Sequence, residues 1–539
     1  MTLKRIIVSV FCATVCLVAS AAPVKRGLWK TITLADGREM RVELRGNERI
    51  HYMSDAEGNC YVRNGDVYEQ VDLADVLARK MGHRRVRRRV VQSSTSDGLG
   101  RFGELSQGAV PSIGEYTIPL VLVEFADQVL QPTTTKEKIS RYCNEVGYCD
   151  ERNAIGSVRD YFIAQSGGMF VPNFDVLGIV RLPKDYAYYG KDRQGKGDDG
   201  IDYRLDEIIA DVVNAAISQL GVDFSQYAIP AADENHEAGV PMLSMIYAGQ
   251  GQATSYDDDL IWPSEWDCSI DVEGVHFSSC FVGNELDGTS LMGPAIFCHE
   301  FSHALGLPDF YSDSCYPFGL WSLMDYGTYY DYSGFQPVGY TAYERSYMGW
   351  LDVPEFDKEV TLSSFGTENG TNAVRITNPS HPEEYFIVEY RTPDTWYPES
   401  FGTGLLLTRF AYDSYEWEEN TLNYDASRLR AMVITANGSK IGKQTANTDH
   451  LYGNGYDQIS GLTFFSGEKM NYDIDITRNA DGTYTLRRIP DDTAVEGVVV
   501  QPSATGNEGI FTLDGRRVNG SQETLSHGIY VVNGRKVVK

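Results

Sequence analysis

The residues best placed to do chemistry are His299, Glu300 and His303, in the run His299-Glu300-Phe301-Ser302-His303-Ala304-Leu305-Gly306-Leu307-Pro308-Asp309. Two histidines four residues apart lie one above the other on a helix face. Two neutral imidazoles so placed can share one zinc ion. Glu300 sits beside them, where it can take a proton from a metal-bound water. Gly306 lets the chain leave the helix with positive φ. The turn then brings Asp309 back as a third ligand. Three protein ligands leave a fourth position open, the pattern of a catalytic rather than a structural zinc. The plain alternative is a surface helix with two solvated histidines, which the Gly and Asp at these offsets disfavour. Glu344 is an alternative third ligand; its plain reading is a solvated charge.

These side chains need a scaffold, and the expected class is α+β: a mixed sheet with an active-site helix in residues 106–352, flanked by β-rich segments. Ile118 to Phe125 and Pro241 to Tyr247 read as buried strands, and Val275 to Val282 as the sheet edge beside the cleft. Ser157 to Gln165 reads as a helix. Leu205, Ile208, Ile209, Val212, Val213, Ala216, Ile217 and Leu220 repeat at helical spacing, with Gly221 as a stop. Gly293-Pro294 opens the active-site helix, and Thr341 to Trp350 forms a closing one. Residues 353–490 are β throughout. Residues 22–80 form a β-meander with turns at Asp36-Gly37, Arg45-Gly46-Asn47 and Asn64-Gly65. Arg84 to Arg89 is a basic run that leads into a Ser/Gly-rich linker ending near 105. Residues 495–539 are a small unit of two hairpins, the second turning at Asn533-Gly534.

The chain has 539 residues, enough for three or four domains. Met1 to Ala21 reads as a secretory signal peptide: Lys4 and Arg5, then an apolar run, then Ala19-Ser20-Ala21. That run is too short to span a membrane comfortably, and no later segment is longer. The net charge is −28. It is uneven: residues 22–105 hold 16 basic and 12 acidic residues, whereas 106–539 hold 29 and 63. So acidic a body repels phosphates and argues against nucleic acid as a partner. Seven cysteines follow the signal. Local pairs would be Cys143 with Cys149, Cys268 with Cys280 and Cys298 with Cys315, leaving Cys60; spacing alone establishes none of them.

On His299 to Tyr311, Trp321 to Gly327 and Pro119 to Asp127, the chain resembles the immune inhibitor A family of secreted bacterial zinc metallopeptidases. Ser322-Leu323-Met324-Asp325-Tyr326-Gly327 is similar to the Met-turn of metzincins, in which a Met lies under the zinc. The resemblance implies His299, His303 and Asp309 as zinc ligands and Glu300 as the base. Asp309 departs from the commoner metzincin pattern, which has a third His. In similar peptidases the Tyr of this turn assists at the zinc; here that is Tyr326, which reads equally well as a packed aromatic. The last 45 residues resemble a C-terminal sorting domain of type IX secretion, on Leu513-Asp514-Gly515-Arg516-Arg517-Val518 and Gly528 to Lys539. That implies secretion machinery as a partner and a secreted or cell-surface location. An ordinary terminal β-module is the alternative.

The expected reaction is hydrolysis of internal peptide bonds in protein or peptide substrates, with Glu300 as base and Tyr326 as oxyanion donor. The competing class is a cell-surface binding protein, an adhesin on a peptidase fold. Asp257-Asp258-Asp259 and Asp198-Asp199 with Asp202 could hold structural calcium; neither has EF-hand spacing, and solvated loops are the simpler reading. Residues 22–105 read as a pro-segment cut at the basic run, and Cys60 could reach the cleft as a thiolate on the zinc.

Overall fold

A mixed sheet carries the site in this computed structural model. The structure describes residues 18–20, 23–25, 27–47, 50–73, 108–490 (without 152, 193–201, 203, 232–237, 256 and 313–314) and 509–538 (without 514, 520–524, 527 and 533–534). The strands lie in the order Val18–Ser20, Ser264–Val272, Val275–Asp287, Val240–Gln250, Gly114–Glu124 and Phe170–Arg181. The last four are mutually parallel. Val240–Gln250 is buried at every residue but its last, as a central strand covered on both faces must be. Phe170–Arg181 alternates buried with more exposed residues, as an outer strand does.

The expected edge strand is corrected. Val275–Asp287 is internal, because the chain turns at Glu273-Gly274, both with positive φ, and pairs antiparallel with Ser264–Val272 outside it. The polar interruptions of Ser264–Val272 and its kink at Ser269, φ 42, hide it from a periodicity count. Val18–Ser20, read from sequence as the end of the signal peptide, lies antiparallel outside that strand, with Ser20 opposite Glu265.

Two apolar layers flank the sheet. On one face Leu205–Ala215 packs Ile208, Ile209, Val212 and Val213 against Val121, Val123, Leu243 and Met245. This helix runs on as a π turn, Ala216–Leu220, and stops at Gly221 with φ 71. On the other face Leu120 and Leu122 meet the active-site helix Pro294–Ala304. The same cluster takes in Tyr385, Ile387, Leu406 and Phe410 from beyond residue 353, so one core runs through both segments. Period-two alternation makes this possible. Along Glu384–Arg391, Tyr385 and Ile387 face that core, while Phe386 and Val388 face a second one shared with Ile474, Tyr484 and Leu486.

The N-terminal segment is a five-stranded meander: Trp29–Thr33, Glu39–Asn47, Ile50–Ser54, Cys60–Asn64 and Val67–Val71. Glu39–Asn47 runs straight through the expected turn at Arg45-Gly46-Asn47. Cys60 is buried beside Tyr52 and Val71, and burial pushes its thiol up to about 11. It is an apolar filler within its own sheet, which corrects the thiolate idea. None of the three expected pairs is closed by a disulfide bond among the described residues. The basic run 84–89, Asp198 and Asp199 lie outside the described residues. Residues 1–489 form one unit and 490–539 another. The second holds a four-stranded sheet in the order Arg517–Val518, Ile510–Thr512, Ile529–Val532, Arg535–Val538. Among the described residues no helix is long and apolar enough to cross a membrane.

Candidate metal centre

The helix Pro294–Ala304 starts with Pro at its first turn, where no backbone N–H is missed. Every residue of it is buried, His299, Glu300 and His303 included. It ends at Leu305, and Gly306 turns away with φ 101, a conformation that strains any residue with a Cβ. Residues 108–110 close this end: Val110 N–H donates to Ala304 O at 2.9 Å. Gly108 passes so close that a Cβ would sit 2.1 Å from the same oxygen.

Two backbone carbonyls set the tautomers of the histidines. His299 Nδ1 donates to Leu323 O at 2.8 Å, and His303 Nδ1 donates to Leu307 O at 2.7 Å. A carbonyl only accepts, so each Nδ1 holds the proton and each Nε2 presents a lone pair. The two Nε2 atoms are 3.3 Å apart. Asp309 Oδ1 lies 3.0 Å from one and 3.3 Å from the other. Three acceptors thus converge in a buried space with no proton between them, and Asp309 Oδ1 has no donor. Ligands about 2.05 Å from a tetrahedral zinc stand ~3.3 Å from one another. The donor set and its spacing fit zinc. Burial pushes His303 below the usual imidazole range despite the opposing pull of Asp309, which keeps the ring neutral. Ligation requires that neutral ring and an ionised Asp309 carboxylate.

Asp309 is held by a residue that the motif does not contain. Asn420 Nδ2 donates to Asp309 Oδ2 at 2.6 Å, and Asp309 N–H donates to Asn420 Oδ1 at 2.6 Å. Asn423 Nδ2 donates to Phe310 O at 2.7 Å. Both asparagines come from the β-rich segment, and no local signal marks them. Asn420 alone leaves a trace: its φ of 52 is the left-handed region that Asn tolerates best after Gly.

The segment around Met324 contacts His299 and the chain after Asp309. Leu323 O takes the His299 proton, Phe310 N–H donates to Met324 O at 2.7 Å, and Met324 is fully buried. Glu344 hydrogen-bonds to this turn and does not join the three converging groups. Its Oε1 accepts from Ser322 Oγ at 2.7 Å, and its Oε2 accepts from Thr341 N at 2.6 Å and Thr341 Oγ1 at 2.7 Å. It is the third-position partner in the capping box of the helix Ala342–Tyr347. Glu300 is fully buried, and its Oε2 accepts from Glu265 N–H at 3.0 Å. That contact ties Glu300 to the strand Ser264–Val272. Tyr326 is buried among aromatics, its ring 5.6 Å from Tyr316 and 5.2 Å from Tyr329. Lys443, from the β-rich segment, lies over both Tyr316 and Tyr326.

The acidic clusters have protein partners. Lys30 Nζ meets Asp258 Oδ1 at 2.9 Å, and Arg63 meets Asp259 Oδ1 at 3.0 Å. Asp202 Oδ2 accepts from Trp262 N–H at 2.8 Å.

Comparison with known proteins gives the same reading of this region. Residues 120–351 match the model of the immune inhibitor A peptidase M6 catalytic domain. Immune inhibitor A of Bacillus thuringiensis subsp. alesti is 23% identical over 455 residues, which covers 72% of this chain and 65% of that protein. The pre-pro-metalloprotease PrtV of Vibrio cholerae serotype O1 is 22% identical over 263 residues, 41% of this chain and 28% of that one. The chain thus spans less than two thirds of the length of the curated relatives it matches. The matched segment contains all three converging groups, Glu300 and the Met324 turn, and the likeness supports a metallopeptidase.

Proposed function

We propose that this protein is a secreted zinc endopeptidase of metzincin-like architecture. One observation carries the reading: two Nε2 lone pairs and one carboxylate oxygen converge at 3.0–3.3 Å, with Glu300 on the same helix. A zinc held by His299, His303 and Asp309 would supply Lewis acidity and an activated water. Glu300 accepts the water's proton and delivers it to the leaving amine. The Glu265 N–H holds the Glu300 carboxylate in place. Tyr326 donates to the developing oxyanion. The edge strand Ser264–Val272 aligns an extended substrate beside the base by main-chain pairing.

Glu300→Ala is expected to keep one zinc per protein molecule and the fold, while kcat/KM on an unfolded protein falls by about 10²–10⁴. His303→Ala is expected to lose zinc. Metal analysis beside a chelator-controlled cleavage assay reads both. Full activity of Glu300→Ala would refute the mechanism. The reading extends to residues 495–539 as a sorting domain, supported by the Leu513-to-Val518 and Gly528-to-Lys539 motifs. A protein without them should stay behind the outer barrier as active enzyme; its normal release would end that idea.

A further inference from the structure

We propose that Asp287 and Tyr332 form a subsite of the substrate cleft that takes a Lys or Arg residue from the C-terminal side of the bond cut, and that Lys25 fills it in the uncut protein. The inference rests on the peptidase reading and names part of its substrate class. Val18–Ser20 lies along the edge strand as a substrate would, antiparallel and extended, with Ser20 opposite Glu265. Glu265 is the residue whose N–H holds Glu300. Five residues further on, Lys25 is fixed by its backbone, N–H to Ala253 O at 3.2 Å. Its ammonium is ion-paired and hydrogen-bonded to Asp287 and lies 4.4 Å from the centre of the Tyr332 ring.

Both charged side chains are nearly enclosed, Lys25 at 9% and Asp287 at 14% exposure. A carboxylate closed in with an aromatic face is the chemistry that selects ammonium and guanidinium groups. Asp287 stands where the sheet hands over to the active-site helix, paired across to Ser290. It ends the strand Val275–Asp287, three positions before the short strand Ser290–Leu291 that leads into the active-site helix. Its charge and that of Glu300 both bear on Tyr329, whose ring lies 5.2 Å from Tyr326. Once Lys25 leaves, the carboxylate stays in the cleft wall without its cation, a costly state that a basic substrate side chain relieves. The direction of the backbone, from Ser20 beside Glu265 on to Lys25, puts the subsite on the leaving-group side.

The test uses the full-length, zinc-loaded protein with Lys25→Ala, cut in the basic run 84–89 and held at about 0.5 M salt so that the N-terminal segment does not cover the cleft. The probes are blocked peptides of one sequence that differ only in Lys, Arg, norleucine or Glu at successive positions on the C-terminal side of the cut. Lys and Arg should exceed norleucine by at least about tenfold in kcat/KM at one position. Adding Asp287→Asn should erase that ranking, and adding Asp287→Lys should turn it towards Glu. A flat ranking with Lys25→Ala, or one that survives Asp287→Asn, overturns the subsite while leaving the peptidase reading intact. If no peptide is cut, the peptidase reading fails. Calorimetry on the Lys25→Ala, Glu300→Ala protein, cut in the same way, then decides the subsite: tenfold tighter binding of the Lys peptide than of the norleucine peptide supports it, and equal binding overturns it.

Discussion

Three groups in this protein are easy to read because their spacing is the chemistry. Helical geometry alone brings His299 and His303 to one face, and Gly306 with φ 101 brings Asp309 round. Leu307 O, inside the run, orients His303, whereas Leu323 O and the amide of Asn420 come from elsewhere in the sequence. Asn420 makes two 2.6 Å hydrogen bonds to Asp309, one to its side chain and one from its backbone. Such supporting contacts commonly change metal affinity by about 10–100-fold. Asn420→Ala is therefore expected to weaken zinc binding by that factor with the fold kept, as measured by competition with a calibrated chelator. Asn420→Asp should do worse, since a second carboxylate would face the buried Asp309. Unchanged affinity in both variants would mean that Asp309 is held without Asn420.

The elements that carry the site were legible in proportion to how regular they are. The helix Leu205–Ala215 and its stop at Gly221, the cap at Ser157 and the Pro-led active-site helix all follow from local signals. The edge strand Ser264–Val272 was not legible, because a kink and interleaved acids break its alternation. Glu344 shows why a charge cannot be placed from sequence. It looked solvated or ligating, yet it is fully buried and joins Ser322 to the cap at Thr341. Replacing it by Ala would leave Ser322 Oγ, Thr341 Oγ1 and one backbone N–H without partners and empty the space of the side chain. A loss of about 3 kcal/mol in unfolding free energy is expected. Zinc affinity of the folded remainder should stay within about tenfold of the parent. Chemical denaturation and metal titration separate these two readouts. A stable, metal-free Glu344→Ala protein would instead make Glu344 the ligand.

At the scale of the whole molecule, opposite charges meet where the N-terminal meander joins the rest. The meander itself is near charge balance, with 6 basic and 8 acidic residues over Trp29–Val71, but its cations face an acidic body. Where they meet, Lys30 pairs with Asp258, Arg63 with Asp259, and Tyr68 Oη donates to Asp258. Deeper in, His51 Nε2 lies 3.0 Å from Asp192 Oδ2 and stacks on Trp262 at 4.8 Å. Val24, Ile32 and Tyr61 share an apolar cluster with Ala253 and Trp262. Docking is therefore part electrostatic and part apolar, and it holds Lys25 against Asp287. This arrangement supports residues 22–105 as a pro-segment that blocks the enzyme until it is cut near Arg84 to Arg89. The intact protein is expected to cleave an unfolded substrate at least about 10²-fold more slowly than the cut form. A single cut should not suffice at low salt, because the pairs at the interface keep the severed segment in place. At about 0.5 M salt the partly exposed pairs are screened within a few ångströms, and the segment should leave. Size-exclusion chromatography of the cut protein at both ionic strengths, with activity read on each fraction, checks the two steps separately. Equal activity of the intact and cut forms would remove the latency claim. A segment that leaves at low salt would show that the Lys30 and Arg63 pairs do not hold it.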